Sequence, residues 1–107
     1  VLGVMSLVNT FDITYEKYDF WHYKDYISIH RIAINHNIYH KGVADKMIEF
    51  AINYAKSNNI SSIRCDTHKM NIPMQKLLAK HNFKYLAEIT LANSNQDNFR
   101  LAFEREV

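Results

Sequence analysis

Hydrophobic residues alternate with a strand-like period of two in one central segment of the chain. Residues 26–35, YISIHRIAIN, are largely apolar at both sets of alternating positions, which is typical of a strand buried on both faces. Simple alternation places Ile27, Ile29, Arg31 and Ala33 on one face and Ser28, His30, Ile32 and Ile34 on the other. The pattern therefore predicts a buried central strand.

Two later segments have the period of an amphipathic helix. In residues 42–59 the apolar positions are spaced i, i+3, i+4, i+7 and i+11, and they fall at Ala44, Met47, Ile48, Ala51 and Ala55. In residues 71–82 Asn71 is a good N-cap and Pro73 is tolerated in the first turn. Met74, Leu77 and Leu78 then form the apolar stripe. We expect two helices here.

The remaining apolar segments predict further strands at residues 1–9, 61–67, 83–91 and 98–106. Residues 9–25 have no clear period and predict loops with a short strand, and residues 92–97 predict a hairpin-like loop. The resulting order is strand, irregular segment, strand, helix, strand, helix, strand, strand, which indicates a mixed α/β fold. The strand–helix–strand unit over 26–66 predicts a right-handed parallel crossover.

Composition narrows the class of protein. A chain of 107 residues, 48% of them hydrophobic, predicts one small domain over residues 1–107. A net charge of +2 argues against a nucleic-acid partner. A single cysteine excludes an internal disulfide and favours a reducing, cytoplasmic setting, and no apolar run reaches the roughly 18 residues of a membrane helix. The small size favours a homodimer.

The segment YHKGVADK, residues 39–46, combines a turn glycine with a helix start. The first N–H groups of a helix lack intrahelical partners, and the helix dipole adds partial positive charge there. No Ser, Thr, Asp or Asn directly precedes this helix, so the N–H groups near Gly42 are available to an anion such as a phosphate. A hydrated helix start with a turn glycine explains the same residues. The motif is neither a P-loop nor a GxGxxG fingerprint.

Around this motif the chain resembles the GNAT acetyltransferases, which transfer an acetyl group from acetyl-CoA to an amine. The family signature is Gln or Arg, two residues, Gly, any residue, then Gly or Ala. Here Gly42 and Ala44 match and Tyr39 replaces Gln or Arg. HRIAIN, SIRCDT and NIPMQKLLAKHNF resemble successive family segments, so that the likeness covers residues 26–91. Family members carry a strand and two helices before this region, so the resemblance predicts a GNAT-like fold truncated at its N-terminus.

The resemblance also implies which residues bind the cofactor. In the family the pantetheine arm of CoA lies along the fourth strand and the pyrophosphate lies on backbone N–H groups at the following turn. The residues implied are Ile32, Ala33 and Ile34 on the strand, Tyr39, His40, Lys41, Gly42, Val43 and Ala44 at the turn, and Asn71, whose alternative role is the helix N-cap.

Direct acetyl transfer needs a base for the amine and a proton donor for the departing thiolate. Ser28 stands at the usual base position but cannot act alone. His30 resembles a strand histidine of the arylalkylamine N-acetyltransferases, and its ordinary pKa near ~6.5 suits base work at neutral pH. A structural histidine remains the alternative. Leu78 replaces the tyrosine that is the usual acid, and Tyr39, Tyr54, Tyr85 and Cys65 are candidate substitutes.

Other chemistry is less well supported by the sequence. His36 and His40 lie in a turn without a third ligand, so we expect no metal. Asp66 is expected to pair with Arg64 or His68. The aromatic residues of the irregular segment, which either line an acceptor pocket or form core or a dimer face, are Tyr15, Tyr18, Trp21, Tyr23 and Tyr26.

Two functions follow from the resemblance. The first is an N-acetyltransferase that moves an acetyl group from acetyl-CoA to a primary amine of a small molecule or protein. The alternative is a GNAT-like module that binds CoA or a partner but has lost catalysis, which Leu78 favours. The acceptor itself is not encoded in any motif of the sequence.

Overall fold

The computed structural model describes residues 3–9, 13–34, 42–91 and 99–107, with only the backbone described at positions 13, 31 and 34. These residues form five strands and three helices. In chain order they are β1 (Gly3–Val8), α1 (Ile13–Glu16), β2 (Tyr26–Ile34), α2 (Val43–Ser57), β3 (Ser62–Thr67), α3 (Ile72–Lys80), β4 (Lys84–Thr90) and β5 (Phe99–Glu106).

The strands form one mixed sheet with the order β1-β2-β3-β5-β4. β2 and β3 are parallel, and the other neighbouring pairs are antiparallel. The parallel pair is joined through α2, as the strand–helix–strand pattern predicts. The mixed α/β class and the helix and strand types from residue 26 to residue 91 are therefore confirmed, with bounds that differ by one to two residues.

The main core lies where α2 and α3 pack on one face of the sheet. Ile48, Ala51 and Ala55 of the predicted α2 stripe are buried, and Ile52 joins them. α3 contributes Leu78, with Met74 and Leu77 partly buried beside it. The buried sheet residues under these helices are Ile27, Ile29, Ile63, Cys65 and Phe103.

Both long helices end through an asparagine in the left-handed conformation. Asn59 has φ of 56° and Asn82 has φ of 66°. The following residue then donates back across the last turn, from the Ile60 N–H to the Ala55 carbonyl oxygen at 2.9 Å and from the Phe83 N–H to the Leu78 carbonyl oxygen at 2.9 Å. This is the Schellman arrangement, and it buries the apolar residue that follows each asparagine.

The opposite face of the sheet is covered by α1 and the aromatic segment that follows it. Here the prediction of loops and a short strand is wrong at residues 13–16, which form a single helical turn. Tyr15 of that turn is completely buried against Ile89 and Ala102. The aromatic residues packed around it are Tyr18, Phe20, Trp21 and Tyr26. The core interpretation is therefore confirmed for these tyrosines and Trp21, whereas Tyr23 instead donates to Glu106 at the surface. Tertiary burial fixed a helical turn that has no amphipathic pattern of its own.

A buried ion pair lies beneath the aromatic segment. The guanidinium of Arg64 and the carboxylate of Glu104 approach to 3.9 Å, and both side chains are less than 5% exposed. The Arg64 guanidinium carbon lies 3.6 Å from the ring centroid of Tyr26 and 4.4 Å from that of Trp21. The Tyr23 carbonyl oxygen accepts from Arg64 Nη2 at 2.6 Å. Arg64 thereby ties the aromatic segment to β3.

Some predictions fall on positions that the structure does not describe. The hairpin-like loop at 92–97 and the turn residues Tyr39, His40 and Lys41 lie outside the described residues. Among the helices that are described, none is both long and apolar enough to cross a membrane.

Candidate active site

β2 and β3 part before either strand ends. Their parallel pairing runs from Tyr26 and Ser62 to Ile29 and Cys65, yet β2 continues to Ile34 and β3 to Thr67. Beyond Ile29 the backbone edge of β2 that faces β3 has no ladder partner among the described strands. An edge of this kind offers N–H and C=O groups to an extended ligand.

A β-bulge lies at the point where the two strands part. In the antiparallel pairing with β1, Leu7 is opposite Ile29 and Ser6 is opposite Arg31, so His30 is the extra residue. The bulge breaks the simple alternation that the sequence predicts for β2. The His30 side chain is exposed, and the preceding residue Ile29 is buried.

A cleft of about 430 Å³ occupies the gap between the parted strands. Its walls come from β2, β3, the start of α3 and the start of β5. The residues that line it are Ile29, His30, Ile32, Ala33, Cys65, Asp66, Thr67, His68, Asn71, Met74 and Arg100. The cleft is smaller than an apolar groove of about 640 Å³ that α3 forms with β4 and β5. The predicted site residues His30, Ile32, Ala33 and Asn71 line the cleft, whereas the candidate acid Tyr85 lines that groove.

The start of α2 lies next to the end of β2. A Cβ built on Gly3 would be 2.9 Å from the Ala33 carbonyl oxygen and 3.4 Å from Val43 Cγ1, so these two residues approach each other across Gly3. Gly42 is the N-cap of α2 with φ of 76°, and it supplies no side-chain cap to the first turn. This confirms the uncapped helix start and adds that glycine is needed there for its left-handed backbone.

The residues predicted to bind the cofactor fall in three places. Ile32 and Ala33 line the cleft, and Ile34 continues β2 beyond the point of parting. Val43 and Ala44 form the first turn of α2. Asn71 lines the cleft and also caps α3, because its Oδ1 accepts from the Met74 N–H at 3.2 Å.

Of the two residues considered for the base, the structure places only His30 in the cleft. Ser28 is completely buried, and its Oγ has no hydrogen-bond partner. Leu78, which the resemblance matches to the family's tyrosine, is completely buried in the main core. A base at position 28 or an acid at position 78 would therefore lie in the protein interior.

Of the described residues considered as substitutes for the acid, Cys65 lines the cleft, whereas Tyr54 and Tyr85 do not. Tyr54 is partly exposed on α2, and Tyr85 is exposed on β4 beside the apolar groove. Cys65 lines the cleft, but burial raises the pKa of its thiol well above the ordinary value. A thiol with a raised pKa is a weaker acid, so it donates a proton to a thiolate less readily.

Tyr15 brings a contact to the cleft that the sequence did not indicate. Its hydroxyl donates to Asp66 Oδ2 at 2.5 Å. The pairing of Asp66 with Arg64 or His68 stays a prediction. The Tyr15 ring is also stacked on the His30 imidazole with centroids 6.1 Å apart. These residues are 51 and 15 positions from Tyr15 along the chain, so no local motif links them.

One further charged residue lies at the cleft. Arg100 lines it, and its Nη1 donates to the Phe99 carbonyl oxygen at 2.7 Å. Within the described ranges, no three His, Cys, Asp or Glu side chains come together in a way that would hold a metal ion.

The sequence model of the acetyltransferase (GNAT) family matches residues 2–83. This chain belongs to the GNAT family. Streptothricin acetyltransferase of Escherichia coli is 39% identical to it over 61 residues, which are 57% of this chain and 35% of that protein. The GNAT chain thus spans about a third of the length of this curated relative.

Solved structures share the GNAT fold. A GNAT-family acetyltransferase of Streptococcus agalactiae superimposes with a TM-score of 0.79 at 24% identity, covering 99% of this chain and 59% of that one. A Bacillus subtilis acetyltransferase in complex with CoA gives a TM-score of 0.76 at 19% identity, covering 100% and 70%. At these identities the superpositions establish the fold, and they confirm the GNAT-like architecture expected from the sequence.

Proposed function

We propose that this chain binds acetyl-CoA in the cleft between β2 and β3 and transfers the acetyl group to a primary amine. The observation that carries the proposal is the early parting of the two parallel strands. It leaves the edge of β2 around Ile32 and Ala33 open within a GNAT fold. The CoA complex of the Bacillus subtilis acetyltransferase supports acetyl-CoA as the co-substrate.

The residues present fit the two ends of that co-substrate. The open edge of β2 suits the amide groups of a pantetheine arm, which pair with a strand as a peptide would. The uncapped first turn of α2 suits the pyrophosphate, because its N–H groups and the helix dipole favour an anion. Ala33 near the end of β2 and Val43 at the start of α2 both lie close to Gly3, so the end of the strand and the start of the helix are neighbours.

In the proposed reaction the amine nitrogen attacks the thioester carbonyl carbon. A C–N bond forms and the C–S bond breaks, so that CoA leaves as a thiolate. His30 accepts the proton that the ammonium loses before or during attack, since its side chain is exposed in the cleft. The attacking nitrogen loses a second proton as the C–S bond breaks, and water carries that proton to the thiolate, because Leu78 has no proton to give.

A second candidate function is a GNAT module that binds CoA without transferring the acetyl group. It is favoured by the complete burial of Ser28 and Leu78, the positions where the family carries its usual base and acid. The two functions share the CoA site and differ only in turnover.

Thermal melting with acetyl-CoA, CoA and buffer alone tests the shared part of the proposal. We expect a rise in melting temperature with both ligands, because a ligand that binds only the folded state stabilises it. The absence of a shift at saturating ligand would contradict both functions.

A second measurement distinguishes the enzyme from the binding module. Release of free CoA thiol is followed across a panel of primary amines, and for the enzyme we expect release above the rate seen without amine.

A further inference from the structure

One buried side chain contacts both of the strands that part. The Tyr15 hydroxyl donates to Asp66 Oδ2 on β3 at 2.5 Å, and the Tyr15 ring lies at 16° to the His30 imidazole on β2. Asp66 and His30 both line the cleft. Tyr15 itself is completely buried, so it acts on the cleft through the side chains that it contacts.

The position of the Tyr15 hydroxyl is set by the aromatic core. Its ring centroid lies 5.0 Å from that of Trp21, and Trp21 Nε1 donates to the Tyr15 carbonyl oxygen at 2.9 Å. Trp21 is in turn held by the Arg64 guanidinium, which is buried in the ion pair with Glu104. A donor fixed in this way orients the carboxylate that accepts from it.

A carboxylate beside the transfer site has a defined use in this reaction. Aliphatic amines arrive as ammonium ions at neutral pH, and a partly buried carboxylate attracts them more strongly than water-exposed charge does. We propose that Asp66, oriented by Tyr15, binds the ammonium group of the acceptor. The acceptor class is then a cationic alkylamine rather than a weakly basic aromatic amine. This inference rests on the proposed function.

The roles of the three residues differ. Asp66 contacts the acceptor, His30 takes its proton, and Tyr15 is a positioning residue that holds both in place. The substitution Tyr15→Phe removes the hydroxyl and keeps the ring, so we expect it to change acceptor binding through Asp66. The stacking of the ring on His30 is retained in Tyr15→Phe.

The test compares an amine that is cationic at pH 7.5, n-butylamine, with one that is neutral, aniline. CoA thiol release is measured for the unmodified chain, Asp66→Asn, Tyr15→Phe and Tyr23→Phe. Tyr23→Phe is the matched control, because it removes another tyrosine–carboxylate hydrogen bond, to Glu106 at 2.7 Å, on an exposed surface outside the cleft.

We expect the unmodified chain to have a higher kcat/KM for butylamine than for aniline. Asp66→Asn should raise the KM for butylamine about tenfold, the usual effect of removing a charged hydrogen-bonding partner. The KM values for aniline and acetyl-CoA should stay unchanged. Tyr15→Phe should change the butylamine KM in the same direction but only about threefold, because the charge of Asp66 remains and only its orientation is lost. Tyr23→Phe should have no effect.

Several results would overturn the inference. An unmodified chain that uses aniline as well as butylamine contradicts it without any variant. So does an unchanged butylamine KM in Asp66→Asn, or an equal rise for both amines. If Tyr15→Phe lowers the melting temperature but leaves the KM for butylamine unchanged, Tyr15 has only a packing role, and its positioning role is contradicted. If acetyl-CoA produces no thermal shift in the unmodified chain, the proposed function itself fails.

Discussion

Gly42 is needed for its backbone conformation and not to relieve crowding. With φ of 76° it lies in the left-handed region that L side chains rarely adopt. Among the described residues, apart from its chain neighbours and the backbone of its own helix, no atom lies within 4 Å of the position its Cβ would take. Asn59 and Asn82 adopt the same conformation at helix ends, where asparagine is tolerated. The open space next to Gly42 faces an uncapped helix start, which is the place proposed for the pyrophosphate.

Substitutions at Gly42 test this assignment through charge. Asp and Asn have nearly the same shape and both tolerate a positive φ, so Gly42→Asn is the control for Gly42→Asp. We expect Gly42→Asp to weaken acetyl-CoA binding at least tenfold more than Gly42→Asn, because its carboxylate caps the helix and repels the phosphates. Isothermal titration calorimetry measures the two affinities for acetyl-CoA. Equal affinities would show that the pyrophosphate does not bind at this turn.

The exposed position of His30 at the bulge predicts a change in turnover. His30→Gln retains a polar side chain of similar size but removes the base, and we expect kcat to fall about a hundredfold. The affinity for acetyl-CoA should change less than twofold if the side chain acts only on the proton. Steady-state CoA release and calorimetry on the same variant separate the two effects. His68→Gln, on the same cleft, is the control, and an unchanged kcat in His30→Gln would exclude His30 as the base.

At the scale of whole elements, α2 and α3 are joined where α2 begins and α3 ends. The Asp45 carboxylate in the first turn of α2 accepts from Lys80 Nζ at 2.8 Å and lies 2.8 Å from His81 Nε2. Lys80, and secondly His81, lower the pKa of Asp45 below its ordinary value of 3.8. This contact holds together the two helices that cover the main core.

The lowered pKa of Asp45 predicts how the contact depends on pH. A proton binds the unfolded chain more readily than the folded one, so the stabilisation is present above the ordinary pKa and is lost as the pH falls below it. We expect Asp45→Asn to melt below the unmodified chain at pH 6, and the difference to shrink by about pH 3. Melting temperatures at the two pH values test this. A constant difference would mean that the Asp45 charge is not involved.

For the whole molecule, the two faces of the sheet are stabilised in different ways. One face packs aliphatic residues under α2 and α3, and the other buries aromatic residues over the Arg64–Glu104 pair. Arg64 Nε and Nη1 have no hydrogen-bond partner among the described residues, whereas Nη2 donates to the Tyr23 carbonyl oxygen. The Glu104 carboxylate and the rings of Tyr26 and Trp21 also compensate for the buried charge. Burial also lowers the pKa of Arg64.

Glu104→Gln tests whether this pair holds the aromatic segment on the sheet. The change leaves the Arg64 charge buried without an ionic partner, and we expect the free energy of unfolding to fall by about 3 kcal/mol. The fluorescence of Trp21, the single tryptophan of the chain, should shift to longer wavelength as its environment opens. Urea unfolding measures the loss, with the exposed Glu88→Gln as control. A loss below about 0.5 kcal/mol would show that the pair contributes little.

Local patterns predicted the elements whose signals are strong within a few residues. Alternation predicted β2, and helical spacing predicted α2 and α3. The predicted N-cap at Asn71 was confirmed by the hydrogen bond that its side chain accepts. The single turn α1 was missed because four residues carry no periodic signal, and the bulge at His30 was missed because alternation in the sequence continues through it. Pairing with β1 decides that register.

The sequence by itself determined the family, the mixed α/β class and the glycine-started helix that suits a phosphate, because each depends on residues close together in the chain. Only the tertiary structure placed His30 in the cleft, buried Ser28 and Leu78 outside it, and joined Tyr15 to Asp66. Those contacts depend on how strands and helices distant in sequence pack together. The chemistry of the site is therefore decided by the bulge and the parted strands, which no local pattern records.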